Sequence, residues 1–115
     1  MKTKKYSVEE LIDNVSMPVI AYSGEAKSFL REALAEAKVG NYEKSHKIIE
    51  DSKLSIVKAY DAHRDIVQYS VMNPEFTKIP FILIHAEDHL MSAVSELSIF
   101  EELIDAYKVI NKLKK

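Results

Sequence analysis

Apolar residues recur at steps of three and four through most of this chain, and this spacing constrains the fold more than any other feature. Residues at these steps lie on one face of a helix. Only two glycines and three prolines occur in 115 residues, so we expect few turns and long helices. The first helical stripe consists of Val8, Leu11, Ile12, Val15, Val19, Tyr22, Ala26, Phe29, Leu30, Ala33 and Ala37.

The first stripe carries its own start signal and two expected irregularities. Ser7 and Glu10 have the spacing of a capping box, which places the helix start at Ser7. Pro18 has no N–H to donate, so it should kink the helix or divide it near residue 17. Gly24 is expected to be either a second weak point or a position where another helix comes close.

Two further helices follow. Gly40 suits the left-handed cap that ends the first helix, and Asn41 is a good N-cap for the second. Residues 73–78 form the expected loop, after which Pro80 suits the first turn of a third helix. No useful length alternates with period two, so no sheet is predicted. The second stripe is Tyr42, Ser45, Ile48, Ile49, Ser52, Ile56, Ala59, Tyr60, His63, Ile66 and Val67, and the third includes Leu90, Leu97, Phe100, Leu103, Ile104, Tyr107, Ile110 and Leu113.

Three long helices with short connections predict an all-α, antiparallel up-down-up bundle, with residues 1–115 forming a single domain. Helices of about thirty residues are about 45 Å long, so a lone bundle of this shape has a thin core. Residues 81–84 are four consecutive apolar residues, which places apolar surface on more than one side of the third helix. We therefore expect a homo-oligomer whose helices pack across a symmetry axis.

The composition excludes several classes of protein. The absence of cysteine excludes disulfides, thiolate metal sites and a cysteine nucleophile. A net charge of -2 provides no broad attraction to nucleic acid or to an anionic membrane. The chain begins with no apolar signal segment, and no run approaches the roughly 20 apolar residues of a membrane span. A cytoplasmic protein is the expectation.

Residues 85–89, His-Ala-Glu-Asp-His, form the one cluster whose residue types suggest chemistry. On a helix, His85, Asp88 and His89 crowd one side of a single turn. The isolated His46 and His63 are predicted to be structural. Burying two histidines and an acid beside four apolar residues costs free energy, so this cluster indicates a functional site.

Three kinds of chemistry fit this turn. The H-x-x-D-H spacing is similar to an inverse-zincin motif, but Asp replaces Glu and no third ligand is evident, which disfavours a zinc hydrolase. Acid/base catalysis by a His-Asp pair would need a pocket, for which three helices leave room only between subunits. Phosphoryl transfer through histidine needs an exposed ring nitrogen, a neighbour that fixes its tautomer and a docking surface, but no deep pocket.

Several motifs resemble those of the lactose/cellobiose-type IIA proteins of the bacterial phosphoenolpyruvate:sugar phosphotransferase system. Residues 85–91, HAEDHLM, are similar to the family signature H-x-Q-D-H-L-M. Residues 21–27, AYSGEAK, are similar to its A-Y-A-G-D-A-R passage. Residues 33–37 with 40–42 are similar to E-A-L-x-x-A-x-x-G-D-F, and the resemblance covers most of the chain.

The resemblance implies a function and a role for each member of the turn. His85 would be the phosphoryl acceptor and His89 a supporting residue beside it. Asp88 would project to the axis of a nine-helix trimer and help to bind a divalent metal ion, with magnesium expected. Such proteins take the phosphoryl group from HPr and pass it to a cysteine of a IIB partner. The IIB partner phosphorylates a β-linked disaccharide such as lactose, cellobiose or chitobiose at the membrane IIC component, which provides the only link to the membrane.

This chain departs from the family pattern at identifiable positions. Glu87 stands where the signature has Gln, and a negative charge beside a phosphoryl site opposes transfer, although residue 87 points about 200° away from residue 85. Where the second helix of the family has A-H-x-x-Q-T, this chain has Tyr60, His63 and Arg64 in place of His, Gln and Thr. The alternative function is that of a non-catalytic, regulatory or structural helical oligomer, which uses the turn for metal binding or partner docking.

Overall fold

The computed structural model describes residues 7–74 and 78–114, and every regular element in these ranges is helical. The chain forms α1 (Val8–Glu10), a π-helical segment (Leu11–Ser16), α2 (Met17–Lys38), α3 (Tyr42–Met72) and α4 (Phe81–Leu113). The first three segments follow one another directly and make one long rod. The predicted all-α architecture is therefore confirmed for the described ranges. Residues 75–77 of the predicted loop lie outside them.

The first rod begins where the sequence predicts and changes its hydrogen bonding before the proline. Ser7 Oγ accepts a hydrogen bond from the Glu10 N–H at 3.1 Å. At the end of the π-helical segment, the Met17 N–H donates to the Ile12 carbonyl, five residues back. Pro18 offers no N–H to the carbonyl one turn earlier, and the wider turn accommodates that loss. The predicted division near residue 17 is confirmed as a change from π to α bonding.

The rod ends in a Schellman motif at Gly40. This glycine has a φ of 86°, in the left-handed region that the sequence predicted. The Gly40 N–H donates to the Ala37 carbonyl at 3.1 Å, and the Asn41 N–H donates to the Glu36 carbonyl at 2.9 Å. Asn41 is the N-cap residue of α3 as predicted, but its side chain makes no capping hydrogen bond, and its amide N–H donates to the Glu36 carboxylate.

The two expectations for Gly24 are both wrong. Helix α2 runs unbroken through this position, so the glycine does not interrupt it. A Cβ added at Gly24 would meet nothing within 4 Å, so no neighbouring helix approaches closely there.

The two glycines therefore provide opposite predictions for stability. Gly24→Ala should stabilise the fold by about 0.5–1 kcal/mol, because alanine loses less backbone entropy in a helix. Gly40→Ala should destabilise it by about 1 kcal/mol or more, because a Cβ is strained at positive φ. Urea unfolding of the two variants tests this, and a loss of stability in Gly24→Ala would contradict the open space around that residue.

The three rods pack in the predicted up-down-up order. Ile66 near the end of α3 and Leu83 near the start of α4 belong to one apolar core. Ile48 near the start of α3 and Ile104 near the end of α4 belong to a second core at the opposite end. Helix α2 packs along both other helices, whereas α3 and α4 meet over a smaller contact. The bundle is 63 Å long.

Helix α4 is apolar on two sides, and this makes the predicted third stripe wrong in part. Leu90 and Ile104 are buried as predicted, but Leu103, Ile110 and Leu113 are exposed. They belong to a second line of exposed apolar side chains that faces away from the core. We call this line the outer stripe of α4, and it consists of Phe81, Ile84, Met91, Ile99, Leu103, Val109, Ile110 and Leu113.

Hydrophobicity alone does not suggest a membrane segment here. Among the helices in the described ranges, none has both the length and the apolar character needed to cross a bilayer.

Candidate functional site

The start of α4 fixes where the histidine turn lies. Pro80 has the extended backbone of an N-cap residue, and Leu83 N–H donates to its carbonyl at 3.0 Å. The proline therefore precedes the helix. The sequence had predicted it in the first turn, and that prediction is wrong. His85 is the fifth residue of α4, beyond the four N–H groups that a helix start leaves free. The free N–H groups of the helix start therefore belong to the turn before His85.

His85 and His89 contact each other through their ring nitrogens. His89 Nε2 lies 3.1 Å from His85 Nε2, and the two rings are perpendicular. In such a contact one nitrogen carries the proton and the other provides the lone pair. His85 is exposed to solvent, whereas His89 is partly buried. The structure thus brings together the two histidines that the sequence placed on one face.

The surroundings of His89 favour its neutral imidazole form. Burial lowers its pKa below the ordinary value, the neighbouring His85 and Lys27 lower it further, and Asp88 opposes them. Its Nδ1 atom is buried and has no hydrogen-bond partner within the described residues. Its other ring nitrogen is the one that faces His85, so His89 is suited to hold the tautomer of its neighbour.

Lys27 on α2 is a charged neighbour of this site, and the sequence pattern did not predict it as a site residue. Its Nζ lies 3.1 Å from Glu96 Oε2, and Ser92 donates to the same carboxylate oxygen at 3.0 Å. Its influence on His89 shows that it lies within electrostatic range of the turn. One feature of the sequence could have indicated Lys27: it ends the AYSGEAK passage, at the position where the similar family motif has Arg.

Asp88 points away from the core of the bundle. It lies about 200° from the buried Ala86 and about 160° from the buried Leu90 around α4. Its side chain is exposed and makes no hydrogen bond or ion pair with a residue in the described ranges. It stands one turn from Ile84 and one turn from Met91, inside the outer stripe. The structure therefore brings the two histidines together as predicted, whereas Asp88 makes no hydrogen bond with either of them.

The donor set of a single chain limits which metal site is possible. No group of three or more potential His, Cys, Asp or Glu ligands comes together within residues 7–74 and 78–114. Asp88 presents an outward carboxylate, and hard oxygen ligands of this kind suit Mg²⁺. One carboxylate is too few for a protein-held site, so a metal bound by Asp88 needs carboxylates from other copies of the chain.

Two of the departures from the family pattern contact each other. His63 Nε2 lies 2.8 Å from Glu87 Oε1 and joins α3 to α4. His63 is 9% exposed, and this burial supports the prediction that its role is structural. Of the other two positions, Tyr60 is exposed and Arg64 pairs with Asp61 on the surface of α3.

His46 lies far from this turn. It is exposed near the start of α3, where Lys108 of α4 contacts its Nε2 at 2.7 Å. It contributes nothing to the arrangement around His85.

Comparisons with known proteins agree on one family. The family model for the lactose/cellobiose-specific IIA subunit of the phosphotransferase system matches residues 14–108. The chain is 28% identical over 105 residues to the lichenan-specific phosphotransferase enzyme IIA component of Bacillus subtilis, which covers 91% of this chain and 94% of that protein.

Two solved structures are similar along nearly the whole chain. The crystal structure of the cellobiose-specific enzyme IIA from Bacillus anthracis matches with a TM-score of 0.80 and 32% identity, covering 95% of each chain. The chitobiose IIA of Escherichia coli, solved in complex with HPr, matches with a TM-score of 0.67 and 26% identity, covering 96% of this chain and 100% of that one.

Proposed function

Because the chain belongs to the lactose/cellobiose-specific IIA family of the phosphotransferase system, we propose that it accepts a phosphoryl group from HPr on His85 and passes it to a IIB partner. A IIA component of this system is a phosphotransferase, and one of its residues must carry the phosphoryl group. The observation that carries the proposal is the exposed His85 ring, held 3.1 Å from the neutral His89. The relative solved with HPr supports the choice of donor.

The proposed reaction is an in-line transfer of the phosphoryl group from its donor to the His85 ring. When His89 donates through its Nε2–H, the proton of His85 lies on Nδ1 and the lone pair on Nε2. Once the His85 ring turns away from His89 and releases this hydrogen bond, the lone pair forms the new N–P bond, while the bond from phosphorus to the donor breaks and its electrons return to the donor. The Nε2–H of His89 then faces a phosphoryl oxygen. In the second transfer the N–P bond breaks as a IIB cysteine sulfur bonds to phosphorus.

The sugar that we propose for this phosphotransferase system is a β-linked disaccharide. The similar proteins are named for lichenan and cellobiose, and the relative solved with HPr is named for chitobiose. The sugar itself is phosphorylated by the IIB partner at the membrane IIC component. The chain works in the cytoplasm and meets the membrane only through these partners.

The proposed assembly is a homotrimer of nine helices around the outer stripes of three α4 helices. A line of exposed apolar side chains along a helix of 33 residues is costly in water and favours burial against other copies. Asp88 is the charged residue between Ile84 and Met91 in this line. Three carboxylates that converge on an axis repel one another unless a cation neutralises them. A divalent ion such as Mg²⁺ held by the three Asp88 side chains supplies that charge.

Phosphorylation on histidine separates this proposal from a non-catalytic oligomer. We expect the protein, incubated with phosphoenolpyruvate, enzyme I and HPr, to gain one acid-labile phosphoryl group that mass spectrometry detects. An oligomer that never gains the group, but still binds a divalent metal, would instead have a structural role.

Replacing Asp88 tests the proposed axis. Asp88→Leu should make the assembly more stable and should abolish its dependence on divalent metal, because the converging charges are removed and an apolar side chain replaces them. Thermal unfolding with and without EDTA measures both effects. Asp65→Leu on the exposed surface of α3 is the matched control. An EDTA effect in Asp88→Leu as large as that in the parent protein would place the metal elsewhere.

A further inference from the structure

The contact between His63 and Glu87 lies on a different side of α4 from the two site histidines. His63 reaches from α3 to within 2.8 Å of the Glu87 carboxylate, and the Glu87 side chain remains half exposed, at 48%. Glu87 is about 200° from His85 around the helix. His89, two residues after Glu87, is likewise about 200° from it around the helix. The charged and polar groups of this turn are therefore directed to separate sides.

The His63 imidazole has a reason to hold this carboxylate. A nearly buried ring nitrogen needs a hydrogen-bond partner, and a neutral imidazole with its proton on Nε2 donates to Glu87 Oε1. Helices α3 and α4 meet over a smaller contact than either makes with α2, so this bond is also a link between them.

A Glu87 side chain without a partner could oppose the phosphoryl transfer to His85. It has three rotatable side-chain torsions and is half exposed, so without a partner it can extend into the solvent around the turn. A carboxylate that approaches the doubly negative phosphoryl group on His85 raises the free energy of transfer. The cost depends on how far the carboxylate is kept from His85.

We infer that His63 is a positioning residue, which holds the Glu87 carboxylate against α3 and keeps its charge away from the phosphoryl group on His85. The inference rests on the proposed function of His85. Its distinctive consequence is that loss of the His63 donor slows transfer only while Glu87 is charged. A purely structural role for His63 would not show this dependence.

A set of variants tests the inference in the full chain. His63→Met removes the donor and puts an apolar side chain of similar size in its place, and it should slow transfer from phospho-HPr about twofold, because Glu87 leaves α4 on the side away from His85. Glu87→Gln added to His63→Met should restore the rate. His63→Gln keeps an N–H donor and should transfer at close to the parent rate. Rapid-quench kinetics at saturating phospho-HPr separates the transfer step from weaker docking.

Several outcomes would overturn it. An unchanged rate in His63→Met, or a slow rate that Glu87→Gln does not restore, shows that the carboxylate is not the cause. If His63→Met does not fold, His63→Leu replaces it with and without Glu87→Gln, and a rate that Glu87→Gln does not raise would overturn the inference. A parent protein that is never phosphorylated on His85 would refute the proposed function instead, so the two failures are distinguishable.

Discussion

His85→Ala is expected to abolish phosphorylation by phospho-HPr while leaving the helix content unchanged. The ring nitrogen of His85 is the proposed nucleophile, and no other residue of the turn has the same exposure together with a neutral imidazole neighbour. The side chain is exposed, so its removal opens no cavity and should change stability little. Mass spectrometry of the acid-labile phosphate and far-ultraviolet circular dichroism measure the two expectations.

The other histidines provide the controls for this experiment. His46→Ala changes an exposed histidine at the opposite end of the bundle and should be phosphorylated at the parent rate. His89→Ala should slow the reaction without abolishing it, because it removes the neighbour that sets the tautomer but keeps the nucleophile. Phosphate recovered on the His85→Ala protein would show that another residue is the acceptor.

Ile99→Glu is expected to convert the assembly into monomers. Ile99 is 56% exposed in the single chain and lies in the outer stripe of α4. Its burial between copies would contribute about 2 kcal/mol for each chain, and the substitution removes this while bringing like charges together. Sedimentation equilibrium at micromolar concentration measures the change. Circular dichroism should remain that of a helical bundle, because the residue faces away from the core.

Leu54→Glu is the matched control for this interface. Leu54 is 60% exposed on α3 and lies one turn from Glu50 and from Lys58, on a charged surface. The same substitution there should leave the assembly intact. If Leu54→Glu dissociates the protein and Ile99→Glu does not, the subunits meet through α3 and the proposed axis along α4 is wrong.

Local features of the fold were predictable because they depend on short stretches of sequence. Ser7 caps the first rod, Pro18 follows a change of hydrogen bonding, and Gly40 takes the left-handed conformation, each for a reason that its own chemistry supplies. Gly24 was misjudged because a glycine within a helical pattern does not reveal whether a neighbour approaches. Asn41 takes the predicted N-cap position, but its side chain contacts Glu36 of the preceding helix instead of capping, which the short stretch around it did not reveal.

The site was predictable only where its members are close in sequence. His85 and His89 meet because residues four apart share a face of a helix. The contact between His63 and Glu87 depends on how α3 is aligned against α4, which neither periodicity nor composition fixes. Glu87 was expected to point away from His85, but the sequence did not reveal what it would bond. The same limit applies to Lys27, whose charge reaches the turn from another helix.

The exposure of a single ring near the start of α4 also governs how the proposed partners must take turns. A donor and an acceptor protein that each have to bring a reacting atom to His85 need the same small area of surface around it. Neither can dock while the other is in place. The chain would therefore have to dissociate from one partner before it binds the other. An excess of unphosphorylated donor would compete with the acceptor protein for this surface and slow phosphoryl transfer to it.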